Sequence, residues 1–138
     1  MPGIEGGKVR TIVNIDVPDL VPAIRFYRAA LGLRLARLIE DDVAELSGAS
    51  STVYLLKHPA GSDATHGASP PRSYARHWTP VHIDFVVDDI EAAARQAIAA
   101  GAIQESELVE WRGSKCVTFS DPFGHGFCVI EFEGGTYR

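Results

Sequence analysis

The sequence is poor in cysteine. Cys116 and Cys128 are its only two in 138 residues, too few for a disulfide-built scaffold, and both are expected to be reduced. It also lacks a long apolar run. No stretch approaches the roughly 18 residues that a membrane-crossing helix needs, and the opening "MPGIEGGKVR" has no apolar signal-peptide core. A cytoplasmic protein without a membrane partner is the expectation. Positive charge is short as well. Thirteen Lys and Arg against eighteen Asp and Glu leave a formal net charge of −5. No Lys/Arg stripe is available to neutralise phosphates, which argues against a nucleic-acid partner. No P-loop, G-x-S-x-G or C-x-x-C pattern appears.

What remains is a chain with 46% hydrophobic and 22% charged residues. That balance matches a globular protein with a normal core, and the length suits one domain over 1–138 rather than two. "RTIVNIDV" (Arg10–Val17) is rich in β-branched residues and reads as a strand. The next stretch, "PDLVPAIRFYRAALGL", has Leu20, Ile24, Tyr27 and Leu31 at helical spacing, with Asp19 as N-cap and Gly32 as the stop. Pro22 falls in the first turn, where amides lack intrahelical acceptors anyway. "LRLARLIE", "VAELSG" and "STVYLLKH" then read as three strands of a meander, parted by Asp41-Asp42 and by Gly48–Ser50.

The second half repeats that order. "VHIDFVV" (Val81–Val87) is a strand, Asp88 or Asp89 caps "IEAAARQAIAA", and Gly101 ends the helix. "ESELVEW", "SKCVTFS" and "HGFCVIEFE" supply three more strands, and "DPFG" (Asp121–Gly124) suits a type I turn. "VPDL" at Val17–Leu20 matches "VDDI" at Val87–Ile90 with a shift of 70, and Gly32 matches Gly101 with a shift of 69. The fold class expected is α+β: two tandem βαβββ modules, one over about 9–57 and the other over about 80–134. Each helix covers one sheet face, leaving the other faces to build half-barrels around a shared concave cleft. The intervening "HPAGSDATHGASPPRSYARHWT" (58–79) is longer than a connector needs. It reads either as a flexible link or as a pocket rim or dimer-crossing arm using Tyr74, His77 and Trp78.

The double βαβββ pattern, with "FYRAALGL" and "DPFGHGFC" as its most specific parts, resembles the vicinal-oxygen-chelate superfamily. This group takes in glyoxalases, bleomycin- and fosfomycin-resistance proteins and extradiol dioxygenases. The resemblance covers about Val9 to Gly134. It implies a homodimer and, in metal-dependent members, a divalent centre with ligands on the first and last strands of the modules. The first-strand position falls on Ile12 and His82, the last-strand position on Tyr54 and Cys128. Metal-dependent relatives offer His, Glu or Gln there. Ile12 has no donor atom, and a neutral tyrosine is a poor ligand. His82 and Cys128 are too few, and strand alternation sends Glu131 to the opposite face from Cys128. No metal residues and no cofactor are therefore expected, a divalent metal at His82 being the alternative.

His82 reads as a hydrogen-bonding pocket residue, as a catalytic base beside a bound acidic C–H or O–H, or as a structural histidine. Tyr54 suits a pocket for a flat ligand and ordinary sheet packing equally. Cys116 and Cys128 read as small core thiols, a redox pair being the sharper alternative. His125 is expected to be solvated or bonded to backbone. His58, His66 and His77 show no metal spacing. Trp78 and Trp111 are expected as pocket walls or interface residues, and Arg112 as solvated or holding an anionic group. The function expected is binding of an apolar or aromatic small molecule by Ile12, Tyr54, His82, Cys128, Trp78 and Trp111. The alternative is a glyoxalase-like lyase, isomerase or dioxygenase with His82 as its catalytic residue.

Overall fold

The computed structural model describes residues 9–63 and 70–133; His66 and Gly134, named above, lie outside them. Strand β1 (Ile12–Val17) leads into helix α1 (Leu20–Leu31), followed by β2 (Arg34–Ile39), β3 (Val43–Ser47) and β4 (Thr52–Lys57). The second module places β5 (Ile83–Val86) before α2 (Ile90–Ala100), then β6 (Ile103–Gln104), β7 (Val109–Trp111), β8 (Ser114–Ser120) and β9 (Gly126–Phe132). The fold is α+β with two sheets, ordered β1-β4-β3-β2 and β5-β9-β8-β6, with β7 also on β8. In each sheet the first strand pairs parallel to the last, and the remaining pairs are antiparallel. The helix supplies the crossover that a parallel pair requires.

One expected strand is not formed as a single element. "ESELVEW" is not one strand: β6 starts earlier, at Ile103, and Ser106 breaks the run by donating from its hydroxyl to the Glu107 carbonyl and accepting the Thr118 amide. Asp19 occupies the N-cap of α1 in extended conformation, but its side chain accepts no capping bond. Asp89 does cap α2, accepting from the Ala92 amide, and Glu131 accepts from the Ile90 amide. Both helices end on left-handed glycines, Gly32 and Gly101, as expected.

Helix α1 buries Leu20, Ala23, Phe26, Tyr27 and Ala30, while Ile24 and Leu31 are only half-buried. Its inner face is rotated from the Leu20–Ile24–Tyr27–Leu31 stripe because the core is shared between the modules. Phe26 meets Phe123 and Phe127 of module two edge-on, at centroid distances of 6.3 and 6.4 Å. Phe127 stacks in turn on Phe119. A buried hydrogen bond fastens the same junction: the Tyr27 hydroxyl donates to Asp121 Oδ2 at 2.5 Å. Asp121 Oδ1 accepts from the amides of Phe123 and His125, which holds the "DPFG" turn.

The stretch of the connector over 70–79 is anchored through Arg72, Tyr74, Arg76 and His77. Arg72 donates to Asp16, Tyr74 to the His58 carbonyl, and Arg76 to Glu105. His77 bridges to His125. A Cβ on Gly124 would lie 2.4 Å from the Tyr74 carbonyl oxygen, and one on Gly126 would lie 2.6 Å from the Trp78 indole. Those two glycines let the connector run directly over the turn.

Candidate functional site

Alternation along the strands sorts each module into two faces. On β1 and β4 the residues Ile15, Val17, Val53 and Leu55 are buried beneath the helices. Ile12, Asn14, Asp16 and Tyr54 therefore point the other way. On β5 and β9 the residues Phe127 and Val129 are buried, so His82, Asp84, Cys128 and Ile130 share the opposite face. Register makes the internal repeat concrete. Tyr54 lies between Asn14 and Glu45 in one sheet, as Cys128 lies between Asp84 and Thr118 in the other. Tyr54 and Cys128 are thus equivalent positions, and Asn14 and Asp84 are equivalent one pleat beyond Ile12 and His82.

The first strands β1 and β5 are both sheet edges, and together they line one cleft of about 800 Å³. Ile12, Val13 and Ile15 form one wall, and Val81, Ile83, Phe85 and Phe127 the other. His77, Trp78 and Thr79 of the connector form its rim, and Asn14, Asp16, His82 and His125 bring the polar atoms. Of the residues expected to bind a ligand, Ile12, His82 and Trp78 line this cleft. Tyr54 and Cys128 stand on the same sheet faces but outside the cleft lining. Trp111 stands away from it, 55% exposed, at the end of β7 before a hairpin turn where Arg112 and Gly113 both take positive φ and Arg112 lies over the Trp111 ring. His125 bonds to backbone, its Nε2 lying 2.7 Å from the Asp16 carbonyl oxygen.

His82 Nε2 lies 3.1 Å from Asp84 Oδ1, and its ring meets Trp78 edge-on at 5.3 Å. Asp84 escaped the sequence reading, although its place two residues after His82 on a strand put it on the same face. The donor atoms of His82, Asp84 and Cys128 all lie within 4.8 Å of one another, the one such metal-competent trio among the described residues. A divalent centre built from both modules does not fit this chain. Ile12 has no donor, and the Tyr54 hydroxyl is donated to Glu45 Oε1, which also accepts from Arg37 Nε, each at 3.1 Å. Module two alone offers three donors, from His82, Asp84 and Cys128.

Cys116 and Cys128 do share a face. They occupy diagonal positions of the β8–β9 ladder, since Cys116 opposes Ile130 and Cys128 opposes Thr118; both are free. The Cys116 thiol is pushed up to about 12 by burial first, then by Cys128 and the Asp84 carboxylate. That shift disfavours, at Cys116, the thiolate that redox exchange needs. Glu105, on which the connector residue Arg76 closes, is held below the ordinary carboxylate range, chiefly by that hydrogen bond.

Comparison with known proteins places these features in a group. The family described as "Glyoxalase-like domain" matches residues 12–130. The anthracycline biosynthesis protein DauV of Streptomyces sp. (strain C5) is 29% identical over 121 residues, covering 88% of this chain and 40% of DauV. The chain therefore spans less than half of that relative. Among solved structures, the fosfomycin resistance protein FosX of Listeria monocytogenes superposes with a TM-score of 0.69 at 14% identity, over 93% of this chain and 94% of FosX. Lactoylglutathione lyase of Agrobacterium tumefaciens gives 0.64 at 19% identity, over 92% and 96%. At those identities the two structures bear on the fold alone.

Proposed function

The chain belongs to the glyoxalase-like domain family, and from that premise we propose that it binds a flat apolar or aromatic small molecule in the β1/β5 cleft, without a divalent metal. The observation carrying this reading is the cleft itself: about 800 Å³, within the range of small-molecule sites, with aliphatic and aromatic walls and a few convergent polar atoms. Burying a few hundred Å² of ligand surface at about 25 cal/mol per Å² supplies micromolar affinity before ordering costs. His82 hydrogen-bonds a ligand oxygen, and Trp78 covers a ring face. The similarity to a protein named for anthracycline biosynthesis favours a fused-ring aromatic. A homodimer belongs to the same proposal, supported by exposed Leu38, Val109 and Trp111 on β2 and β7, as does a cytoplasmic location, in keeping with two free thiols. Among the described residues no helix is long and apolar enough to cross a membrane.

Trp111→Phe leaves Trp78 as the only tryptophan. Titrating that variant with 1,8-dihydroxyanthraquinone should quench its emission saturably, and His82→Ala should weaken the binding. Linear quenching equal to that of free tryptophan would sink the proposal.

One observation favours a second reading. A carboxylate 3.1 Å from His82 Nε2 orients an imidazole as a base is oriented. Turnover of a hemithioacetal by chelator-treated protein, lost in His82→Gln and reduced in Asp84→Asn, would bring the enzyme reading forward.

A further inference from the structure

Away from the cleft, three arginines crowd one groove. A cavity of about 670 Å³ follows the face of α1 that carries Val21, Ile24, Arg25 and Arg28, and continues past the helix end to Leu33 and Arg34. Arg25 and Arg28 are three residues apart, neighbours on a helix surface. Among the described residues, no carboxylate oxygen comes within 4.0 Å of these three guanidinium groups, whereas Arg37, Arg72 and Arg76 each have one. In a chain of net charge −5 this is a local reversal of sign. The helix dipole accounts for Arg28, in the last turn. It does not account for Arg25, nearer the middle of the helix, or for Arg34 beyond its end. The groove also has an apolar side, for Val21 is 62% exposed and half-buried Ile24 continues its surface.

We propose that this groove binds an amphiphilic organic anion, a phosphate or carboxylate head held by Arg25, Arg28 and Arg34 with its apolar body against Val21 and Ile24. Guanidinium forks match the oxygen spacing of both head groups and bond them bidentately. Exposed charges alone would be screened at physiological salt, so the apolar side has to contribute for binding to persist there. A cavity of 670 Å³ is of small-ligand size. The proposal does not depend on what the β1/β5 cleft binds.

Isothermal titration calorimetry on the full chain tests it, using octyl phosphate beside inorganic phosphate and octanol. Saturable one-to-one binding of octyl phosphate is expected, at least tenfold tighter than either half-molecule. Arg25→Gln and Arg28→Gln should each weaken it about tenfold, Arg28→Lys less, and His82→Ala not at all. Circular dichroism confirms that each variant is folded. No binding of octyl phosphate, equal affinity in the glutamine variants, or inorganic phosphate binding as tightly would overturn the proposal. So would displacement of octyl phosphate by neutral 1,8-dihydroxyanthraquinone, which would put the ligand in the cleft. Self-association through the same arginines, read by light scattering, would give the groove to a second copy instead and also overturn it.

Discussion

Replacing Tyr27 by phenylalanine removes one oxygen from the junction between the two modules and nothing else. Tyr27 and Asp121 are 2% and 3% exposed, so water cannot replace the lost donor. The ring keeps its edge-on contact with Phe26 at 4.9 Å, which confines the cost to the hydrogen bond at Asp121 Oδ2. A bond to a buried carboxylate contributes about 1.5–3 kcal/mol. For a chain of this size that corresponds to a fall of roughly 5–15 °C in Tm. Asp121 keeps its two amide partners, so the turn stays formed and the loss appears as earlier cooperative melting. The pH dependence adds a second signature. Burial first, then the charge of Asp121 and the hydrogen bond to it, raise the Tyr27 pKa well above 10.0. A raised folded-state pKa gives stability that is complete below the unfolded value, near 10, and is lost as pH rises through the folded value. Wild-type protein should therefore lose stability above about pH 10 by a route that Tyr27→Phe lacks. Urea melts at pH 7 and pH 10.5 measure both. An unchanged midpoint at pH 7 would refute the buried hydrogen bond as a fastening between the modules.

Three further outcomes follow from particular contacts. Gly126→Ala places a Cβ 2.6 Å from the Trp78 indole; the ring must move, at a cost of about 1–3 kcal/mol, and Trp78 emission in a Trp111→Phe background should shift to the red. Native protein at pH 8 should react slowly with a thiol reagent, since Cys116 is pushed up to about 12 and Cys128 is buried, whereas unfolded protein should show two fast thiols; two fast thiols in native protein would contradict this account. Asp89→Ala removes a capping bond and should cost about 1 kcal/mol. Asp19→Ala removes none and should leave the denaturation midpoint nearly unchanged.

The repeat was legible because hydrophobic period, capping glycines and turn residues agreed in both halves. Strand alternation also placed Glu131 on the helix side correctly, where it meets the Ile90 amide. The failures share a cause. The face of α1 was read from its own apolar residues, but Phe26 is turned inward by Phe123 and Phe127, some hundred positions away in the chain. Trp78 and Trp111 looked alike as isolated tryptophans. Only the close approach at Gly126 and the turn at Arg112–Gly113 send one to the cleft rim and leave the other on a hairpin. The connector's composition suggested slack, yet Arg72 and Arg76 find partners on other segments and Tyr74 ties back to His58 at its start. Asp84, by contrast, was within reach of the alternation rule that placed His82.

On the proposed function, the β1/β5 cleft takes an aromatic ligand without a metal. The most direct measurement is a pair of amide nitrogen–proton correlation spectra of chelator-treated protein, with and without 1,8-dihydroxyanthraquinone. The largest shifts should fall on Ile12–Asp16, Trp78–Phe85 and Gly126–Phe127. Shifts confined to other strands, or none until a divalent metal is added, would contradict it.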